Sequence, residues 1–340
     1  MEVPTPHILA TQPEEISLDF QPKTFGDYIG QEQLKQKLAL YAKAAKMRTE
    51  PLDHMLLFGP PGLGKTTLAH VIARQMDVSI KTCSGPMLER TGDLVSILSG
   101  LEPRDILFID EIHRMPIAVE EVLYSAMEQY SVDVIIGQGP GAQTINVPIN
   151  PFTLIGATTK SGTISAPLRS RFGINERLEF YTPENLCLII LQNSKYLNLT
   201  IDQKAAEMLA QCSRGTPRIA KKLVRRIRDF AQVNNNNYAT VELVQKSLAM
   251  LGIDQNGLTP VDRAILEALV KNYKGGPAGL ETIASLVGEE AHTIEEVYEP
   301  YLLRQGYLEK TPRGRKITPR MYALLRKKFF TKSTGQSSLL

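Results

Sequence analysis

The sequence predicts an α/β protein. Its first part is a doubly wound, parallel-sheet domain with an inserted β-hairpin, followed by an all-helical domain and a winged helix. Three observations predict this. Gly59-Pro60-Pro61-Gly62-Leu63-Gly64-Lys65-Thr66 has the spacing of a phosphate-binding loop, and it stands between an apolar strand-length segment (54–58) and a helical one (67–73). Residues 105–111, Asp-Ile-Leu-Phe-Ile-Asp-Glu, form an apolar run ending in two carboxylates, which suits a strand buried on both faces of a parallel sheet. Near the C-terminal end, short strand-like segments at 306–310 and 315–318 flank Thr311-Pro312-Arg313-Gly314 after three helical stretches, the plan of a winged helix.

The elements follow in order. Residues 1–19 read as a loose arm rich in Pro, Glu and Thr, and 20–180 as the α/β domain. Within it, Gln31–Met47 is helical, with Leu34, Leu38 and Ala42 on one stripe. After the acidic strand come a helix at 118–130, strands at 132–137 and 144–147 around a turn at 138–143, and a core strand at 152–159 ending in two threonines. Strands alternating with helices around a phosphate loop give the doubly wound architecture. Residues 181–254 read as all-helical: Pro183 starts one helix, Asp202 caps the next, which runs to Gly215, and Pro217 starts a third. That third helix buries Ile219, Leu223, Ile227 and Phe230/Ala231 and turns Lys221, Lys222, Arg225, Arg226 and Arg228 outward, as a solvated face would be. Residues 255–331 hold helices at 260–273, 280–288 and 293–305 and then the wing, and 332–340 read as a tail.

Composition narrows the function classes. Of 340 residues 43% are hydrophobic and 22% charged, an ordinary globular balance. Cys83, Cys187 and Cys212 lie far apart in no metal pattern, and their odd number argues against a disulfide framework and for reduced thiols in the cytoplasm. No basic-then-apolar leader opens the chain, and no apolar run is long enough for a membrane span. Net charge is only +3, but residues 301–340 carry ten Lys/Arg against Glu309 alone. That asymmetry points to an anionic partner at this end, nucleic acid first.

The motifs carry the chemistry. Loop glycines let backbone N–H groups surround phosphate oxygens, and the helix N-terminus behind them adds positive potential. Lys65 reaches the β/γ-phosphates and the Thr66 hydroxyl suits Mg²⁺. Ligands bind at the carboxyl ends of parallel strands, so Asp110 is placed for the metal and Glu111 for the attacking water. Arg169-Ser170-Arg171-Phe172 follows Thr158-Thr159, where an arginine can stabilise γ-phosphate charge in its own or a neighbour's site. Gly215-Thr216-Pro217-Arg218 sets another arginine at a helix start. Either arginine alone could be a surface ion pair; their order after the two nucleotide motifs favours the functional reading.

In this order, the segments 59–67, 107–114, 152–159, 167–173, 215–220 and 311–315 resemble those of the AAA+ ATPases and, within them, the RuvB family of Holliday-junction branch-migration motors. The resemblance covers roughly residues 18–320. It implies an AAA+ ATPase domain, a helical lid and a winged-helix domain. It also implies ATP and Mg²⁺ as cofactors, with Lys65 and Thr66 on phosphate and metal and Gly62, Gly64 and Thr67 lining the loop. Asp110 and Glu111 serve hydrolysis, and either Thr158 or Thr159 is sensor 1. Arg171 is the finger completing a neighbour's site and Arg218 is sensor 2. Phe20, Gln21 and Tyr181 resemble positions on the base and ribose side, and Glu128, Gln129 and Tyr130 further nucleotide contacts. Lys310, Arg313 and Arg315 would meet DNA phosphates. The implied partners are Holliday-junction and duplex DNA, RuvA at the hairpin tip near Gly139–Gln143, RuvC in a resolvasome, and further copies of the chain in a homohexamer. The implied work is an ATP-driven translocase's, in recombination and DNA repair. The chain departs from the family's pattern at Gln21 and Lys310, where arginine is usual, and at Ala291, where arginine is frequent.

Overall fold

The computed structural model describes residues 19–136, 143–323 and 325. The arm at 1–18, the hairpin tip at 137–142 and the tail at 332–340 lie outside the described residues. The chain divides into two compact units: residues up to Ile201 with Gly215–Tyr238, and Asp202–Arg214 with the residues from Ala239 on. The stretch 181–254 therefore contributes helices to both.

The first unit begins with α1 (Glu32–Arg48), β1 (Met55–Phe58), α2 (Lys65–Met76), β2 (Ile80–Ser84), α3 (Thr91–Ser99), β3 (Ile106–Asp110) and α4 (Ile117–Gln129). It continues with β4 (Ser131–Ile136), β5 (Gln143–Pro148), β6 (Thr153–Thr158), α5 (Ala166–Ser170), β7 (Ile174–Arg177), α6 (Pro183–Tyr196) and β8 (Thr200–Ile201). The parallel sheet has the order β2-β3-β6-β1-β7. The chain leaves β1 for the far edge, returns through β3 and β6 to lie beside β1, and ends at β7 on the other side. β3 and β6 are buried almost throughout, as strands covered on both faces must be. The edge strands β2 and β7 are half-buried and mix polar with apolar residues, so the sequence carries no strong strand signal for them. Leu56, Leu94, Leu107, Leu123, Phe152 and Phe172 belong to one core beneath the sheet. β4 and β5 form the expected antiparallel hairpin, in register from Ser131↔Pro148 to Ile136↔Gln143.

After α7 (Gln203–Cys212) in the second unit, the chain returns to the first with α8 (Pro217–Asn234), which packs on α6. α8 buries Ala220, Leu223, Val224, Ile227 and Ala231, close to the predicted stripe. The second unit continues after β9 (Tyr238–Ala239) with α9 (Val241–Met250), α10 (Pro260–Tyr273), α11 (Leu280–Val287), α12 (Ala291–Thr293) and α13 (Glu299–Arg304). Strands β10 (Leu308–Thr311) and β11 (Gly314–Ile317) form its antiparallel wing. Two sequence expectations are corrected. α7 ends at Cys212 rather than Gly215, and Asp202 precedes it without a side-chain cap bond. The helix expected over 293–305 is interrupted by a π-helical turn at Ile294–Tyr298 just before Pro300. A proline in mid-helix has no N–H to donate and crowds the preceding turn, and a widened turn relieves both.

Candidate functional site

The sheet register brings the predicted motifs to one edge. Phe58 at the end of β1 pairs with Thr158 at the end of β6, and Ile109 of β3 pairs with Gly156. The phosphate loop, Asp110 and the Thr158-Thr159 pair therefore share the carboxyl edge of the sheet. Gly59, Gly62 and Gly64 take φ of 140°, 77° and 95°, which turn the backbone sharply into α2. All three positions require glycine for space as well, and a Cβ on Gly59 would lie 2.6 Å from the Leu178 carbonyl oxygen. A Cβ on Gly62 would lie 2.9 Å from Cβ of Arg218, and one on Gly64 would lie 2.9 Å from the Tyr28 hydroxyl.

Lys65 opens α2 and folds its ammonium back into the loop, donating to the carbonyls of Gly59 at 2.7 Å and Pro60 at 3.0 Å. Burial is the main force pulling its pKa down to about 8; Asp110 opposes the shift and Arg218 adds to it. A cation made so reluctant is stabilised by an incoming polyphosphate. Thr66 is exposed and Thr67 half-buried, both in the first turn of the helix. Arg218 stands in the first turn of α8, with its backbone N–H donating to the Gly62 carbonyl at 3.3 Å and its side chain exposed. The predicted arginine at that helix start is thus seated on the phosphate loop itself.

Beyond β3, Asp110 accepts the N–H of Glu111 at 2.9 Å, and Glu111 takes a left-handed φ of 48°. Its carboxylate accepts a hydrogen bond from Arg114 at 2.9 Å. The two threonines are not equivalent. The Thr158 hydroxyl is buried, 3.0 Å from Nδ1 of His113, and accepts the Lys160 N–H at 2.9 Å. Thr159 is half-buried, with no hydrogen bond to its hydroxyl among the described residues.

Other predicted contacts sit in less expected places. Tyr181 is buried under the loop, its hydroxyl 3.2 Å from the Leu63 carbonyl and 3.1 Å from the Tyr28 hydroxyl. Burial raises both phenols, Tyr181 to about 12 and Tyr28 well above its ordinary value, so both stay protonated and brace the loop from below. The segment around Phe20 and Gln21 is strapped to α6 and α8. Phe20 donates its N–H to Asn193 at 2.8 Å and accepts from Lys221 at 2.5 Å, while Gln21 is exposed. Glu128 lies 3.1 Å from Arg171, Gln129 is exposed, and the Tyr130 ring packs on Phe152 and His54. Arg171 is bound within its own chain by Glu128 and by the Pro167 carbonyl at 2.8 Å.

In the second unit, Lys310 and Arg315 face each other across the wing. Both hold the carboxylate of Glu299, which is 1% exposed, at 2.8 and 2.7 Å. Hydrogen bonding to Glu299 raises the Arg315 pKa further. Glu295 joins them at 3.5 and 3.4 Å. Arg313, in the turn between the strands, is exposed with no ion pair among the described residues.

Sequence reasoning missed Tyr28, His113, Arg114 and Tyr124. His113 and Arg114 stand two and three residues after the acidic pair, so proximity in the chain was an available signal. Tyr28 and Tyr124 reach their partners only through the fold. Among the described residues no helix is long and apolar enough to cross a membrane, and no group of three or more His, Cys, Asp or Glu residues is placed to hold a metal.

Three family models match in succession: the Holliday junction DNA helicase RuvB P-loop domain over 20–178, the RuvB AAA lid domain over 181–254, and the RuvB C-terminal winged helix domain over 255–326. The chain is 52% identical over 308 residues to the Holliday junction branch migration complex subunit RuvB of Staphylococcus aureus (strain JH9), covering 91% of this chain and 92% of that protein. A solved structure titled Thermotoga maritima RuvB Holliday junction branch migration motor is 49% identical, with a TM-score of 0.80 over 90% of this chain and 98% of that one. A point mutant of the same Thermotoga protein superposes with a TM-score of 0.82, over 90% of this chain and 99% of that one.

Proposed function

The chain belongs to the RuvB family, and we propose on that premise that it is an ATP-hydrolysing motor driving branch migration of Holliday junctions in recombination and repair. One observation carries the chemical part: Lys65, Asp110, the Thr158-Thr159 pair and Arg218 converge on one sheet edge around a glycine loop of positive φ. The loop's N–H groups and Lys65 hold the β- and γ-phosphates, and Gly62, Gly64 and Thr67 shape the cradle. Glu111 orients and deprotonates the attacking water. Thr159, whose hydroxyl is uncommitted, is the sensor of the γ-phosphate; Thr158 is spent on His113. Arg218 reports nucleotide state to α8, and Arg171 completes the site of a neighbouring subunit.

Thr66 and Asp110 supply only oxygen donors, a set that suits Mg²⁺ bound jointly with phosphates. When bound, that ion neutralises charge developing on the phosphates. Phe20, Gln21 and Tyr181 lie toward the base and ribose, with Tyr181 acting through the loop it supports. Glu128 and Gln129, exposed at the end of α4, are further nucleotide contacts, and Tyr130, its ring packed on Phe152 and His54, supports them from the core side.

The working assembly is a homohexameric ring on duplex DNA. Residues 20–180, 181–254 and 255–331 are its ATPase, lid and winged-helix domains. The β4–β5 hairpin docks RuvA through its tip near Gly139–Gln143, and RuvC joins in a resolvasome. Lys310, Arg313 and Arg315 face DNA phosphates, with Arg313 the most available. A motor of chromosomal junctions in a bacterium works in the cytoplasm.

The test of the chemistry is Glu111→Gln. It keeps ATP binding, and its turnover falls roughly a hundredfold or more, the scale lost with a general base. Turnover at the unaltered rate contradicts the assignment.

A further inference from the structure

The Arg171 guanidinium is held from three sides. Its Cζ lies 4.4 Å from the centroid of the Tyr124 ring, Nη1 donates to the Pro167 carbonyl at 2.8 Å, and Nε lies 3.1 Å from the Glu128 carboxylate. Nε is buried and its approach to Glu128 is not aligned as a hydrogen bond, so that contact is an ion pair alone. Nη2 carries no bond among the described residues.

The ring beneath the guanidinium is itself fixed. The Tyr124 hydroxyl donates to Glu120 at 2.7 Å and lies 3.2 Å from the Ser165 hydroxyl. Ser165 hydrogen-bonds Glu120 as well, and it caps α5 by accepting the Leu168 N–H at 3.2 Å. α5 is only five residues long and delivers Arg171 directly at its C-terminal end. The contacts thus close on themselves: Tyr124 to Glu120, Glu120 to Ser165, Ser165 through α5 to Arg171, and Arg171 back to the Tyr124 face. An aromatic face holds a planar guanidinium without using any of its five N–H groups, which leaves those donors for a phosphate.

We propose that Tyr124 is a positioning residue: its ring is the platform that presents the free Nη2 edge of Arg171 outward to the γ-phosphate in a neighbouring subunit. Glu128 is the exchangeable counter-ion that the phosphate displaces. The inference rests on the reading that Arg171 acts between subunits.

Three variants of the full chain test it, each assayed for ATP hydrolysis alone and mixed with Lys65→Ala subunits. The Lys65→Ala subunits cannot turn over ATP themselves but carry an intact Arg171 and Tyr124. Tyr124→Leu removes the platform. Its kcat falls about tenfold or more while KM for ATP changes less than about twofold, because misplacing a reacting group by about 1 Å costs up to a hundredfold. Tyr124→Phe recovers most of the loss. In the mixtures Tyr124→Leu regains activity as Arg171→Ala does, which also shows that its own nucleotide site is folded. Rescue of Arg171→Ala without rescue of Tyr124→Leu overturns the inference and leaves the between-subunit reading standing. If neither is rescued, that reading fails and the inference falls with it. An unchanged kcat in Tyr124→Leu overturns the inference directly.

Discussion

The phosphate loop and the wing are both places where the sequence sets cations for an anionic ligand, yet the fold treats those cations differently. At the loop, Lys65 is bonded, among the described residues, to backbone carbonyls alone, and the Arg218 side chain is exposed. Those weak partners are easily replaced by phosphate. At the wing, Lys310 and Arg315 are engaged by the nearly buried Glu299, and Arg313 has no ion pair among the described residues. A basic residue on the wing is therefore not by itself a free cation; part of the charge of Lys310 and Arg315 neutralises a carboxylate on α13.

The largest effect that separates the two regions is on stability. Arg315→Ala leaves the buried Glu299 to Lys310 alone, which offsets part of the about 3–5 kcal/mol that breaking a buried pair outright costs. Calorimetry should show the second unit melting earlier. An unchanged transition makes the wing pair an ordinary surface bridge and dissolves the contrast. Lys65→Ala removes a buried cation that burdens folding, so it should not lower the melting temperature, and it should weaken ATP binding by about 2–3 kcal/mol, the worth of a charge-assisted bond, as read by calorimetric titration.

A third effect is of pH. With Lys65 titrating near 8, the share of protonated ammonium falls about tenfold between pH 7 and pH 9, and ATP affinity should fall with it. Stability moves oppositely. The unfolded chain keeps this proton to its ordinary value near 10.5 and the folded one only to about 8, so the group burdens folding most below pH 8 and the burden eases towards 10.5. ATP affinity flat from pH 7 to pH 9 contradicts the placement of Lys65. The smallest effect is that of Arg313→Ala, which should weaken DNA binding equally for all sequences, lower the salt slope by about one and leave melting untouched. A change in sequence preference would mean that Arg313 reads bases.

How far the sequence could be read follows the same divide. The loop was legible because its geometry is local: glycines at fixed spacing, a strand before and a helix after, with the acidic strand identifiable from its apolar run. The register that aligns Phe58, Thr158 and Asp110 is a consequence of burying those strands on both faces. What was not legible depends on residues far apart in the chain. Tyr28 meets the loop across 35 residues, and Tyr124 meets Ser165 across 41. Thr158 and Thr159 could not be told apart until His113 was seen to occupy one of them. Glu299 gave no sign, because a glutamate in a helix reads as solvated whatever lies opposite. The break before Pro300 was legible in principle, since proline disrupts helices, but its form as a π turn was not.

The motor itself is tested most directly on a synthetic four-way DNA junction, scoring separation into two duplexes with and without ATP, Mg²⁺ and a cognate RuvA. The account predicts separation that requires all three and is lost in Glu111→Gln. ATP hydrolysis by the unaltered chain with no separation under any condition would contradict it, leaving an ATPase whose substrate is not the junction.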